Sequence, residues 1–272
     1  MENPYGAKMK KQSAKANTDM LIGLLIVAAI ILAAVALTRL DVFGKKGGGL
    51  GSDFQDDLEK LAKIDPNRIL YEESAEPIET RMAKSRAIAV DSKGSIYVAG
   101  DNRVNLLDAD RAPKGVINPA AEPYSLAVAE DGKVYVGAED HIEVYDDEQK
   151  RIATWPAPGE KSLLTSMAVT ENNVFVADQG SRLVFRYDLS GKLIAKIGAG
   201  DPDKNILGFV VRSPYFDLAI SKDGMLRVAN PGQGRIEAYT FDGNREFHWG
   251  KLAMTLDGFI PCCNPVNFAI LP

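Results

Sequence analysis

The chain has few of the residues on which most catalytic sites depend. Its 272 residues include two cysteines, adjacent at Cys262 and Cys263, and two histidines, His141 and His248. Two neighbouring cysteines exclude a disulfide-stapled scaffold as the source of stability. The sequence also lacks a Ser-His-Asp order, a glycine loop for phosphate and a CxxC pair. Catalysis through imidazole therefore has few candidates.

An excess of positive charge is also missing. The chain carries 32 lysines and arginines against 37 aspartates and glutamates, which gives a net charge of -5. A chain with this net charge has no excess of positive charge to neutralise the phosphates of a nucleic acid, so we expect no nucleic-acid partner. The length fits one large all-β domain or two ordinary ones.

A pattern of four apolar runs fills residues 166–198. The runs lie at 167–169, 174–177, 183–187 and 193–197, and turn residues such as Ser190-Gly191 separate them. Each run has the length of a strand. The pattern therefore predicts four antiparallel strands with tight turns, in one meandering sheet.

The same pattern recurs in phase along the chain. The copies align on an alanine in the first run, and successive alanines are roughly 40 to 50 residues apart, a spacing typical of a four-stranded propeller blade. Because the innermost strands of all blades crowd around one axis, small residues fit best there, and we interpret the alanines as packing residues. They are Ala89, Ala127, Ala168, Ala219 and, in a fifth first strand, Ala269.

Segments such as AIAVDSKGSIYVAGDNRVNLLD and MAVTENNVFVADQGSRLVFRYD carry a family resemblance. From about Arg68 onward the sequence resembles the NHL-repeat family and the related six-bladed β-propellers. The resemblance implies an all-β fold over residues 67–272, a β-propeller of four full four-stranded antiparallel blades and a partial fifth. It implies little about activity, because propellers host unrelated functions.

The ends of the repeat region bear on closure of the ring. Residues 68–84 read like the outer half of a closing blade, with strands at 69–71 and 77–80. The last residues reach one strand into the fifth copy. We expect a fragment, or a prematurely ended reading frame, of a six-bladed ring; a native five-bladed ring is the alternative.

The amino-terminal region predicts a membrane anchor. Residues 1–19 form a polar tail, and the uncharged run 20–38 has about the length that spans a bilayer as a helix. A cleaved signal peptide is the alternative, but the apolar run is longer than a usual signal sequence and continues past the candidate cleavage site. Four lysines before the run and three basic residues after it favour a cytoplasmic amino terminus and an extracytoplasmic propeller, periplasmic or at the cell surface.

Two short segments join the anchor to the repeats. Residues 39–51 are a flexible glycine-rich linker. Residues 52–66 begin with a capping-box pattern and show helical apolar spacing until Pro66, which predicts a short amphipathic helix. Its apolar stripe either lies on the bilayer or packs against the propeller, and we favour the propeller.

Candidate ligand-binding residues follow the second strands of the copies, at Asp101, Asp178 and Asn230. Loops of this kind build the axial mouth of a propeller. The resemblance to six-bladed hydrolases and lyases implies that acidic and amide residues there hold a divalent metal such as calcium. The alternative is ordinary turn chemistry, which we favour because the residue types vary from copy to copy.

The loop around residues 258–265 departs from the repeat and contains Cys262, Cys263 and Asn264. An elaborated loop on a repetitive scaffold is a usual place for function. Adjacent cysteines lie too close for an unstrained disulfide, so we expect two thiols. They either fill a tight loop as small apolar residues or supply one metal or redox ligand.

Two functions from different classes follow. The first is a membrane-tethered extracytoplasmic scaffold that binds a protein or a small ligand. The second is a metal-dependent hydrolase or lyase with its site at the axial mouth. We favour the scaffold, because a fold alone implies no reaction.

Overall fold

The computed structural model describes residues 20–33, 35, 76–201, 203, 207–253, 258–260 and 264–270. The chain divides into two compact units, Met1–Glu76 and Pro77–Pro272. In the first unit, residues 20–33 and residue 35 are helical. Among the described helices, none has the length and apolarity needed to cross a membrane. The rest of the predicted span, the tail 1–19, the linker 39–51 and the amphipathic helix 52–66 lie outside the described residues.

The described part of the second unit consists of four antiparallel sheets, which we call blades 1 to 4. In each blade the strands pair in chain order as a meander. The strands are β1 (Ser85–Val90), β2 (Ile96–Gly100), β3 (Arg103–Leu107) and β4 (Pro113–Ile117) in blade 1; β5 (Pro123–Val128), β6 (Val134–Ala138), β7 (His141–Tyr145) and β8 (Arg151–Trp155) in blade 2; β9 (Leu164–Val169), β10 (Val174–Asp178), β11 (Leu183–Tyr187) and β12 (Leu193–Ile197) in blade 3; and β13 (Leu218–Ile220), β14 (Leu226–Asn230), β15 (Arg235–Tyr239) and β16 (Arg245–Trp249) in blade 4. A 3-10 turn, Pro231–Gln233, joins β14 to β15.

The prediction of an all-β chain of four-stranded blades is confirmed. In blade 3 the strands β11 and β12 have the predicted bounds, and β10 extends the predicted run by one residue. The hairpin turns follow the expected chemistry, since Gly94 and Gly132 have φ of 81° and 86°, which residues with a side chain rarely adopt.

The core lies between neighbouring blades. Tyr97 and Val104 of blade 1 pack with Leu126 and Val136 of blade 2, and two similar clusters fill the spaces between blades 2 and 3 and between blades 3 and 4. Three of the five repeat alanines belong to these clusters: Ala89, Ala127 and Ala168 each pack against the blade that follows. The first strands of successive blades contact one another in the order β1, β5, β9, β13.

Two predicted strands are wrong. Residues 77–80 are not a strand, because Pro77 lacks an N–H for a ladder and side chains of β3 hold the segment instead. Asn105 donates to the carbonyl of Thr80 at 3.1 Å, and Arg103 donates to that of Arg81 at 2.6 Å. Residues 268–270, the described part of the predicted fifth first strand, are not a strand either, since no strand among the described residues pairs with them. The predicted strand at 69–71 lies outside the described residues.

Candidate functional site

The first strands of the four blades line a central space, which we call the axial channel. Together with Ile96 and Val98 of β2, Ile78, Thr80 and residues 267–269 they border a cavity of about 590 Å³ that is partly open to solvent. Its walls are mainly apolar, with side chains from every blade. The apolar lining residues are Ile78, Ala87, Ile88, Ile96, Val98, Leu126, Met167, Leu218, Phe268 and Ala269.

A second set of lining residues is polar and occupies one repeat position. Ser125, Ser166, Asp217 and Asn267 each lie two residues before a repeat alanine. Our sequence reasoning missed them, because it searched the loops after the second strands. The signal was present: a polar residue stands two positions before the repeat alanine in four of the five copies.

Three of these side chains, Ser125, Ser166 and Asp217, link their own blade to the next element along the chain, and we call these three the inter-blade belt. Ser125 donates its hydroxyl to the carbonyl of Leu164 at 2.7 Å. Ser166 donates to Oδ1 of Asp217 at 2.6 Å, and Oδ2 of Asp217 accepts the backbone N–H of Phe268 at 2.9 Å. The belt therefore runs from blade 2 to the carboxy-terminal segment.

Asp217 is the acidic member of the belt. Its carboxylate also accepts the N–H of Leu218 at 2.9 Å. Burial raises the pKa of Asp217, although hydrogen bonds from Ser166, Phe268 and Leu218 act in the opposite direction. No lysine, arginine or histidine among the described residues forms an ion pair with it.

The predicted ligand Asp178 has a structural role. Its side chain is fully buried at the end of β10. It accepts backbone N–H groups from Leu163 at 2.8 Å, Gly180 at 3.0 Å and Ser181 at 3.3 Å. The hydroxyls of Ser162 and Ser181 donate to it at 3.0 and 2.7 Å. These five bonds fasten the chain entering blade 3 to the turn that follows β10.

Asp101 and Asn230 play similar parts in blades 1 and 4. Asp101 accepts the N–H groups of Ala83 at 2.6 Å and Lys84 at 3.0 Å, just before β1. Asn230 accepts the N–H of Val210 at 3.0 Å. Each side chain holds the segment that leads into its own blade.

The residues present do not fit the calcium site that the resemblance implies. Calcium takes six to eight oxygen ligands, whereas the carboxylates of Asp101 and Asp178 already accept backbone N–H groups. Within the described part of the chain, no three His, Cys, Asp or Glu side chains come together as a metal site. The candidates Cys262 and Cys263 lie outside the described residues, and half-buried Asn264 precedes the segment that lines the channel.

A buried glutamate in the third strand is a second feature that sequence reasoning missed. Glu143 binds Tyr145, Arg151 at 2.8 Å, His141 at 3.2 Å and the N–H of Ala120 at 3.1 Å. Burial acts to raise the pKa of Glu143, but these hydrogen bonds outweigh burial and hold the pKa below its ordinary value.

Glu237 occupies the same position in blade 4. It accepts hydrogen bonds from Arg235 at 2.6 Å, Tyr239 at 2.5 Å and Asn230 at 3.2 Å. Burial, followed by the hydrogen bond to Glu237, raises the pKa of Tyr239. The recurring Glu-x-Tyr in copies two and four was the sequence signal. Since the partners satisfy both carboxylates, we assign these networks to the stability of the blades.

The comparisons with known proteins bear on the fold alone. No protein-family model matches the sequence, and no curated protein matches it. Among solved structures, a streptogramin B lyase has a TM-score of 0.52 at 16% identity, over 64% of this chain and 57% of that chain. The chain has a β-propeller fold.

Two further solved structures are similar. A catalytically inactive virginiamycin B lyase from Staphylococcus aureus with quinupristin has a TM-score of 0.51 at 16% identity, over 65% of this chain and 59% of that chain. U3-55K has a TM-score of 0.50 at 11% identity, over 63% and 53%. This β-propeller chain thus matches less than two thirds of the length of these proteins.

Proposed function

We propose that this chain is a membrane-tethered, NHL-type β-propeller that acts outside the cytoplasm as a binding scaffold, with the axial channel as its ligand site. The channel is the observation that carries the proposal. Its volume of about 590 Å³ is in the range of small-molecule sites, and it combines apolar walls with a few polar groups at fixed positions. The four in-phase repeat copies support the NHL assignment.

The scaffold function is preferred over a metal-dependent hydrolase or lyase. The acidic side chains that the enzyme would use as ligands, Asp101 and Asp178, are engaged by backbone N–H groups. The structural similarity to a streptogramin B lyase, at 16% sequence identity, supports a shared fold but does not imply a shared reaction. A protein partner at the propeller face is compatible with the same scaffold.

A variant that fills the channel tests the ligand site. Ala269 lines the cavity and is exposed, so we expect a tryptophan side chain at this position to fill part of the cavity. We expect a neutral apolar probe, 4-phenylbutanol, to bind the full chain in detergent, and Ala269→Trp to abolish that binding in isothermal titration calorimetry.

The matched control places the same side chain on the outside of a blade. Ile152 is exposed on β8, away from the lining residues, and Ile152→Trp is expected to leave binding of the probe unchanged. Equal binding by wild type and Ala269→Trp would exclude the channel as the site.

The tether is proposed from the apolar amino-terminal run 20–38. The helical residues 20–33 expose large hydrophobic side chains from Met20 to Leu32, and an apolar surface of this kind normally contacts lipid or protein. Together with the flanking lysines, this supports an anchor with a cytoplasmic amino terminus and an extracytoplasmic propeller.

Membrane fractionation tests the tether. We expect the full chain to remain with membranes after carbonate extraction and a variant lacking residues 1–38 to be released, because the deletion removes the apolar run. The double variant Leu25→Lys/Ile30→Lys keeps the length of the chain and should also be released. Recovery of a shortened chain in the soluble fraction of the wild type would favour a cleaved signal peptide and contradict the anchor.

A further inference from the structure

The channel contains two charged residues among its described lining, Arg86 and Asp217. Arg86 has its partners within the protein: Nε and Nη2 donate to Oε1 of Glu122 at 3.1 and 3.0 Å. The guanidinium also lies 4.4 Å from the ring centre of Tyr124. Glu122 therefore balances the positive charge of Arg86 in the protein without a ligand.

Asp217 is in a different situation. Its hydrogen bonds come from neutral donors, namely the hydroxyl of Ser166 and the N–H groups of Leu218 and Phe268. Oδ2 accepts a single one of these bonds, from Phe268, and so retains acceptor capacity. Asp217 is half-buried, and a carboxylate that is partly removed from water gains both charge pairing and a hydrogen bond when a cationic group is brought to it.

The side chains around Asp217 indicate the chemical character of the rest of the ligand that carries the cationic group. The nearby lining is apolar, with Met167 and Leu218 from the first strands and Phe268 from the carboxy-terminal segment. An apolar body on the ligand would be covered by these side chains, whereas a hydrated metal ion would gain nothing from them.

We propose that the channel binds a ligand with an apolar body and a protonated amine, and that the ammonium group pairs with the carboxylate of Asp217. The inference rests on the proposed function, because it needs the channel to be a ligand site. It adds the chemical class of the ligand and the residue that selects it. The raised pKa of Asp217 is consistent with a carboxylate that lacks a cation in the free protein.

Three probes of one shape test the proposal on the full chain in detergent. They are 4-phenylbutylamine, which is protonated at pH 7, its alcohol 4-phenylbutanol and its acid 4-phenylbutyrate. We expect the amine to bind about ten- to hundredfold more tightly than the alcohol, because an ammonium donor adds an opposite charge to the hydrogen bond that a neutral hydroxyl would make with the same carboxylate. The acid should bind more weakly than the alcohol.

Two isosteric variants assign the preference to one carboxylate. Asp217→Asn removes the charge in the channel, and the amine should then bind no more tightly than the alcohol. Asp147→Asn makes the same change on an exposed residue remote from the lining, and should retain the wild-type preference. Should Asp217→Asn fail to fold, the wild-type comparison decides, together with loss of amine binding in Ala269→Trp.

The outcomes separate this inference from the proposed function. Equal binding of amine and alcohol in the wild type, tighter binding of the acid, or a preference that survives in Asp217→Asn would each overturn the inference while the channel remained a ligand site. Failure of all three probes to bind the wild type, or equal binding of a probe by the wild type and Ala269→Trp, would overturn the proposed function and the inference with it.

Discussion

Replacement of Trp155 by alanine is expected to lower the free energy of unfolding by about 3–5 kcal/mol, the usual cost of removing a large buried aromatic side chain. Trp155 ends the outer strand β8 and is 5% exposed. Its ring centre lies 5.6 Å from that of Tyr135 in its own blade and 5.6 Å from that of Tyr187 in the next. The substitution therefore leaves a cavity between two blades, and urea denaturation followed by circular dichroism measures the loss.

The chain contains a matched control at the same repeat position. Trp249 ends the outer strand β16 of blade 4, but it is 66% exposed and its ring contact is with Phe259, at 5.3 Å. Since little packing is lost there, we expect Trp249→Ala to cost about 1 kcal/mol or less. Similar losses for the two variants would contradict the assignment of the core to the space between blades.

Replacement of Asp178 by alanine has the second large expected effect, a loss of about 3 kcal/mol or more. The variant removes a fully buried carboxylate that accepts five hydrogen bonds, among them those from the N–H groups of Leu163 and Gly180, and each hydrogen bond to a charged group contributes about 1.5–3 kcal/mol. Thermal and urea unfolding of Asp178→Ala against the wild type measure the loss.

The control for Asp178 is Asp101→Ala. Asp101 accepts two backbone N–H groups at a more exposed place, where water can replace the carboxylate, so we expect a loss of about 1 kcal/mol. Calcium should leave the unfolding midpoint of the wild type unchanged. A midpoint that rises with calcium and no longer does so in Asp178→Ala would restore the metal-ligand hypothesis.

The blades could be predicted from the sequence because their signals are local. The alternation of apolar residues gave the bounds of β11 and β12, and glycines such as Gly132 marked the turns that need positive φ. The strand expected at 77–80 was wrong, because the contacts of Thr80 and Arg81 with β3 side chains depend on the packed fold.

The site depends on relations between distant residues, and the sequence shows these poorly. Asp178 looks like a turn residue or a ligand until its donors are known, and its donor Leu163 stands fifteen positions earlier. Ser166 and Asp217 lie 51 positions apart and meet because equivalent residues of a propeller face one axis. A search for polar residues at one fixed repeat position would have found them.

The open ends of the blade series have a consequence for cooperativity. Blades 2 and 3 are covered on both faces, whereas Ile88 and Val90 of blade 1 and Trp249 of blade 4 are exposed on faces that no other described blade covers. In a linear array of repeats, each unit draws stability from its nearest neighbours. The terminal blades should therefore open at lower free energy than the inner pair, a gradient that amide hydrogen exchange measures strand by strand. Among the described blades, protection would then be lost first in blades 1 and 4 and last in blades 2 and 3.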